Sequence, residues 1–238
     1  MAKILCLETS TEVCSVVIAE NGKVSDVRED QSGLNHSRLL TVFIDELLKS
    51  NNLSVSNFDA VAVSEGPGSY TGLRIGVSVA KGLCFGATVP LIAISPLKAM
   101  AAAVIAKSAN LGLQLTETDW LVPMIDARRM EVYRTIYSFQ LKELSKVDAV
   151  VIDENTFADA LNDHRLIFFG NGAEKCKPVI EHANAYFIEG IITSAANMTT
   201  LANEKFIAGQ FADLAYFEPF YLKDFVATIA KNSVLKGL

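Results

Sequence analysis

Two stretches of this 238-residue chain repeat one pattern, 118 residues apart. Ile4-Leu5-Cys6-Leu7-Glu8 is an apolar run closed by an acid, and the polar turn Thr9-Ser10-Thr11-Glu12 leads into a second apolar run, Val13–Ala19. Val122-Pro123-Met124-Ile125-Asp126 has the same form, with Ala127-Arg128-Arg129 as its turn and Glu131–Phe139 as the run that follows. A second landmark keeps the same order. Phe58–Ser64 precedes Gly66-Pro67-Gly68, and Arg165–Phe169 precedes Gly170-Asn171-Gly172. Two landmarks matched in the same order point to one structural plan built twice.

The first copy reads clearly. Strands are predicted over Lys3–Glu8, Val13–Ala19 and Lys23–Asp30, the last two joined by Asn21-Gly22, a strong short hairpin signal. A helix is predicted from His36 to Lys49, with Leu39, Leu40, Phe43, Ile44, Leu47 and Leu48 at helical spacing. A strand over Phe58–Ser64, a helix from Thr71 to Gly86, a strand over Val89–Ile94 and a helix over Pro96–Ala109 follow. In the second copy Trp120–Ile125, Glu131–Phe139 and Arg165–Phe169 read as strands. Thr193–Leu214 reads as one long helix with Met198, Leu201, Ala202 and Gly209 inward, and Pro219 marks the turn into Phe220–Leu222 before a polar tail. This order describes the actin-like ATPase (ASKHA) architecture, two ribonuclease-H-like α/β lobes facing each other across a cleft. Each lobe is expected to hold a mixed five-stranded sheet with flanking helices. The expected division is residues 1–102 and 103–238, the second lobe smaller and its last helix packing back on the first.

Composition narrows the function. Half the residues are hydrophobic and 20% are charged, so disorder is excluded. No apolar stretch reaches the roughly 18 residues of a membrane span, and the opening Met1-Ala2-Lys3 meets Glu8 too soon for a signal peptide. Four cysteines lie apart with no CxxC pair, as expected of buried thiols in a reducing compartment. A cytoplasmic protein is expected. The net charge of −6 and the lack of a basic run beyond Arg128-Arg129 make the chain a poor nucleic-acid binder by itself.

Candidates for chemistry are few. Gly66-Pro67-Gly68-Ser69-Tyr70-Thr71-Gly72 is a glycine-rich turn between strand and helix, of the kind that presents N–H groups to a phosphate. It is no Walker loop, and its glycines serve equally well as a tight turn, with Ser69 capping the helix. Thr9, Ser10 and Thr11, with Gly66 and Gly68, are the candidate nucleotide or phosphate loop. Gly72, Gly76, Ala80 and Cys84 put small side chains along one helical face, open to close approach by a helix of this chain or of another. Of three histidines none is paired one turn on, since Leu40 stands four residues after His36. No metal site and no catalytic residue are expected.

The stretches GPGSYTGLRIGVSVAKGL (66–83), ILCLETST (4–11), NHSRLL (35–40), VPMIDARRMEVY (122–133) and EPFYLKDF (218–225) together resemble the bacterial TsaB family, also called YeaZ and historically labelled glycoprotease-like. The resemblance covers nearly the whole chain in order. It implies a non-catalytic role in forming threonylcarbamoyladenosine next to the anticodon of tRNAs reading ANN codons. TsaD would be the heterodimer partner and TsaE the accompanying ATPase, with tRNA met only through the complex and a homodimer formed when TsaD is absent. It implies no intrinsic cofactor, ATP or ADP belonging at the complex interface. The helix surface expected to pair with TsaD comprises Leu39, Leu40, Phe43, Leu47, Gly72, Gly76 and Ala80. The residues alone leave two alternatives, a metal-independent actin-like ATPase and a peptidase.

Overall fold

The computed structural model describes residues 2–33 and 35–223. Asp224, Phe225 and the polar tail lie outside the described residues. Three strands open the chain as an antiparallel meander, β1 (Lys3–Glu8), β2 (Cys14–Glu20) and β3 (Lys23–Asp30). Their hairpin turn places Asn21 and Gly22 at φ 52° and 77°. That left-handed pair matches the twist of the flanking strands. Two parallel strands, β4 (Ala60–Ser64) and β5 (Leu91–Ile94), extend the sheet to the order β3-β2-β1-β4-β5.

Both faces of this sheet are covered, and β1 shows why an uninterrupted apolar run was needed. Leu5 and Leu7 point to one face, where they meet Leu40, Ile44 and Leu47 of α1 (His36–Ser50) and Val77, Ala80 and Cys84 of α2 (Tyr70–Ala87). Ile4 and Cys6 point to the other, among Ile92 and Ile94 of β5 and Ala99 of α3 (Pro96–Ala106). The same layer contains Ala195, Met198, Leu201 and Ala202, from nearly a hundred residues further along.

The second sheet repeats the first. β6 (Asp119–Asp126) pairs antiparallel with β7 (Glu131–Arg134), which pairs antiparallel with β9 (Asp148–Val151). On the other side β6 runs parallel to β10 (Arg165–Phe169), and β10 to β11 (Ala185–Phe187). Strand order and sense match the first lobe position for position. The predicted strand Glu131–Phe139 is broken in two, β7 and β8 (Tyr137–Ser138), both paired with β6, so this sheet counts six strands rather than five. The break has a local cause: Thr135 Oγ1 donates to Ser145 O at 2.6 Å and Ile136 N to Ser145 Oγ at 3.0 Å, drawing both residues toward the β8–β9 connection.

The helices are where the copies part. A six-residue α4 (Ala158–Asp163) stands where the first lobe has α1, and a single 3₁₀ turn, Glu174–Cys176, where it has α2. The predicted helix Thr193–Leu214 is also corrected. A 3₁₀ turn at Ala195–Met198 leads into the nine-residue α5 (Thr199–Ile207). Gly209 is exposed at φ 65° and turns the chain back, and Ala212 N donates to Leu91 O at 2.8 Å at the edge of β5. Met198, Leu201 and Ala202 are buried as expected.

From there residues 213–223 form a strap along α2. Lys81 Nζ donates to Ala215 O (3.1 Å) and Phe217 O (3.0 Å), and Phe220 N donates to Glu65 O at 2.7 Å. The Tyr221 ring lies 4.9 Å from that of Tyr70, and Lys223 pairs with Glu131 in the second lobe.

Candidate functional site

The acid that ends β1 is sealed. Glu8 is fully buried, its Oε1 accepts from Ser10 N at 2.6 Å, and Ser64 Oγ donates to its Oε2. Burial pushes its carboxyl above the ordinary carboxylate range, an effect the bonds from Ser10 and Ser64 only partly offset. Thr9 Oγ1 donates to Gly72 O at 2.8 Å, Ser10 O accepts from Ser69 N at 2.7 Å, and Thr11 Oγ1 lies 2.5 Å from Thr193 Oγ1. All three turn residues are buried.

The glycines explain how the turn fits so closely. A Cβ on Gly68 or Gly72 would lie inside 3.0 Å of the carbonyl oxygens of Ser10 and Thr9, and one on Gly76 would strike Thr9 Oγ1. A Cβ on Gly66, at φ 107°, would sit 2.7 Å from Phe220 O of the strap. The space that Thr9, Ser10, Thr11, Gly66 and Gly68 would offer a phosphate is therefore filled by this chain's own backbone. The expected phosphate loop is closed in this conformation.

The same packing corrects the expected partner surface. Gly72, Gly76 and Ala80 face inward, the two glycines onto the β1–β2 turn and Ala80 into the core, so no partner helix reaches them. Leu40 and Leu47 are likewise wholly buried, while Leu39 and Phe43 are half-buried at the edge of the same core. The outward face was missed by sequence reasoning. It carries Val42, 44% exposed, on α1, and Ser78, Gly82, Phe85 and Gly86 on α2, with Phe85 82% exposed. Nothing lies within 4 Å of where a Cβ on Gly82 or Gly86 would stand. Gly82 and Gly86 themselves were the available signal, small residues on the side of the helix away from the first stripe.

Across the cleft, Asp126 ends β6 as Glu8 ends β1. It is exposed, pairs with Lys175, accepts from Arg128 N at 2.8 Å, and its own N–H donates to Asn171 Oδ1 at 3.0 Å. Asn171 Nδ2 donates to Glu12 Oε2 at 2.8 Å, which ties the two turns together. Beside them lies a cavity of about 520 Å³ whose charged lining is Glu12, Glu174, Glu189 and Lys177, the last paired with Glu189 at 3.1 Å. Three carboxylates against one amine repel a polyphosphate.

Among the described residues no three His, Cys, Asp or Glu side chains converge as metal ligands. His36 Nε2 lies 3.2 Å from Val13 O, and His164 stacks on Trp120 at 3.8 Å. The cysteines are buried, and burial pushes the Cys6 and Cys14 thiols up to about 12, far from a nucleophile's range.

A family model described as TsaD, tRNA N6-adenosine threonylcarbamoyltransferase, matches residues 29–231. The chain belongs to that family. Within it the chain falls with TsaB, or YeaZ. It is 26% identical over 231 residues to the Escherichia coli protein named tRNA threonylcarbamoyladenosine biosynthesis protein TsaB, spanning 94% of this chain and 96% of that one. A Haemophilus influenzae protein of the same name is 40% identical over 130 residues, 55% of this chain and 51% of its own length. Among solved structures, YeaZ from Pseudomonas aeruginosa superposes with a TM-score of 0.77 at 25% identity, covering 93% of this chain and all of that one.

Proposed function

We propose that this chain is the non-catalytic partner of a TsaD-type transferase in forming threonylcarbamoyladenosine on tRNA. The relatives' names supply the pathway, and one observation supports the partner role. The outward face of α1 and α2 presents Phe85, 82% exposed, beside two glycines with open space above them. A large exposed aromatic beside a flat small-residue strip has the form of an anchor awaiting a partner helix. On α1, Val42 is 44% exposed as well. The closed β1–β2 turn and the acidic cleft argue against a self-sufficient ATPase, so ATP or ADP belongs at the interface of the assembly, with TsaE as its ATPase. An excess of acid in this chain leaves tRNA to be met through the complex. Paralogous lobes offer matching faces, so the same surface forms a homodimer when the transferase is absent. The assembly works in the cytoplasm; among the described residues no helix is long and apolar enough to cross a membrane.

Reconstitution tests this reading. The chain alone should modify no tRNA and turn over no ATP, whereas TsaD and TsaE with it should do both. Phe85→Glu should weaken TsaD binding at least tenfold, about 1.4 kcal/mol, with an unchanged thermal midpoint. Modification by the chain alone, or a folded Phe85→Glu variant with wild-type affinity, would overturn it.

A further inference from the structure

A second cavity, about 580 Å³, opens outside the carboxyl ends of β4 and β5. In open α/β sheets that is where ligands sit. Its walls come from four separate parts of the chain: Glu65 after β4, Lys98 in the first turn of α3, Tyr137 of β8, and Glu204 and Lys205 of α5, with Phe220 of the strap closing one side.

Its charges are arranged oddly. Two amines (Lys98, Lys205) and three carboxylates (Glu65, Glu143, Glu204) line one space, yet none of the five forms an ion pair within 4.0 Å among the described residues. Opposite charges that share a surface pocket usually collapse onto one another. Here they stand apart. Lys205 Nζ is committed to Ala93 O at 2.7 Å, and the Lys98 backbone N–H donates to Ser95 Oγ at 3.4 Å, which seats Lys98 in the first turn of α3. Glu65 is half-buried and its backbone is tied to Ile94 and Phe220. Burial raises its pKa, offset in part by Lys205. Apolar residues complete the lining, Ile94, Val147, Leu201 and Phe220.

We propose that this cavity binds a small zwitterion, an α-amino acid. Its carboxylate lies toward Lys98 and the positive end of the eleven-residue α3, its ammonium toward Glu65 and Glu204, and its side chain against Leu201 and Phe220. Other ligand classes fit less well. Among the described residues no three carboxylates converge to hold a divalent cation, and the three carboxylates repel a nucleotide's phosphates. A wholly apolar ligand would leave half-buried charges without solvent or partner. The site is separate from the α1–α2 face, and its test leaves the partner reading untouched.

The experiment is saturation-transfer NMR and calorimetry on the full chain, with glycine, leucine, phenylalanine, arginine and glutamate as probes. At least one should bind with a Kd between about 10 μM and 1 mM. Amidating the carboxylate or acetylating the amine of that probe should each weaken binding at least tenfold, as should Lys98→Ala and Glu65→Gln in variants that keep the wild-type thermal midpoint. Should a variant fail to fold, the two blocked probes on the wild-type chain decide the matter. No binding by any of the five probes at about 10 mM, or equal binding of the free and blocked forms, overturns the proposal.

Discussion

Two glycines on one helix should respond to the same substitution with opposite sign. Gly72 and Gly82 both lie within α2, where alanine is favoured over glycine by about 1 kcal/mol. At Gly82 nothing stands within 4 Å of the new methyl, so Gly82→Ala should gain that amount. At Gly72 the methyl falls inside 3.0 Å of Thr9 O, where real Cβ contacts essentially never lie, and ordinary contact begins only at 3.4 Å. The new Cβ would stand 2.1 Å from that oxygen, so the turn must back off by about 1.3 Å to restore ordinary contact at 3.4 Å. Because the obstacle is backbone, no side-chain rotation relieves it. Overpacking of this kind costs about 1–3 kcal/mol, and retreat of the turn strains the Thr9 Oγ1 bond to Gly72 O, a further loss of about 1 kcal/mol. Set against the helix gain, Gly72→Ala should lose roughly 1–3 kcal/mol. For a chain of this size each 1 kcal/mol moves the thermal midpoint by about 2–4 °C. Calorimetry of the two variants should therefore show Gly82→Ala melting above the wild type and Gly72→Ala below it. A Gly72→Ala protein that melts at or above wild type would refute the packing argument.

Glu8→Gln should change stability with pH in a stated direction. The folded-state pKa of Glu8 lies above its ordinary 4.5, so ionising it penalises the folded state as pH rises from 4.5 through that higher value. The melting advantage of Glu8→Gln over wild type should grow from pH 4 to pH 8, and an advantage that stays flat across this range would contradict the reading. Arg165 holds the buried Asp119 through two 2.7 Å bonds. Arg165→Leu should cost roughly 2 kcal/mol, since a buried charge loses its partner while the arginine itself is partly exposed; a denaturation midpoint within error of wild type would count against it.

Much of the first lobe was legible because β1, β2 and β4 are buried along nearly their whole length, while the largely exposed β3 is placed by its hairpin turn. Only near-continuous Ile, Leu and Val satisfy that condition, and the Asn-Gly turn fixed the hairpin, so Lys3–Glu8 and Lys23–Asp30 match the observed strands. The duplication was legible for the same reason. Periodicity, however, reports which residues share a face and not what lies opposite. The stripe Gly72, Gly76, Ala80 was found as a close-packing face, but its neighbour is a turn more than sixty residues earlier, invisible to any local window. The broken strand at Thr135 and the shortened helix after Ile207 were set by single side-chain bonds and one left-handed glycine. Neither alters the apolar pattern.

The inner layer formed by Ala195, Met198, Leu201 and Ala202 bears on the order in which the molecule is completed during synthesis. These residues cover the face of β1, β4 and β5 that carries Ile4, Cys6, Ala62 and Ile92. A ribosome delivers the strands of that sheet within the first hundred residues, whereas its cover emerges about a hundred residues later. At synthesis rates of about 5–20 residues per second, the first lobe waits several seconds with half of its sheet wet, and the lobe begun first is the one finished last.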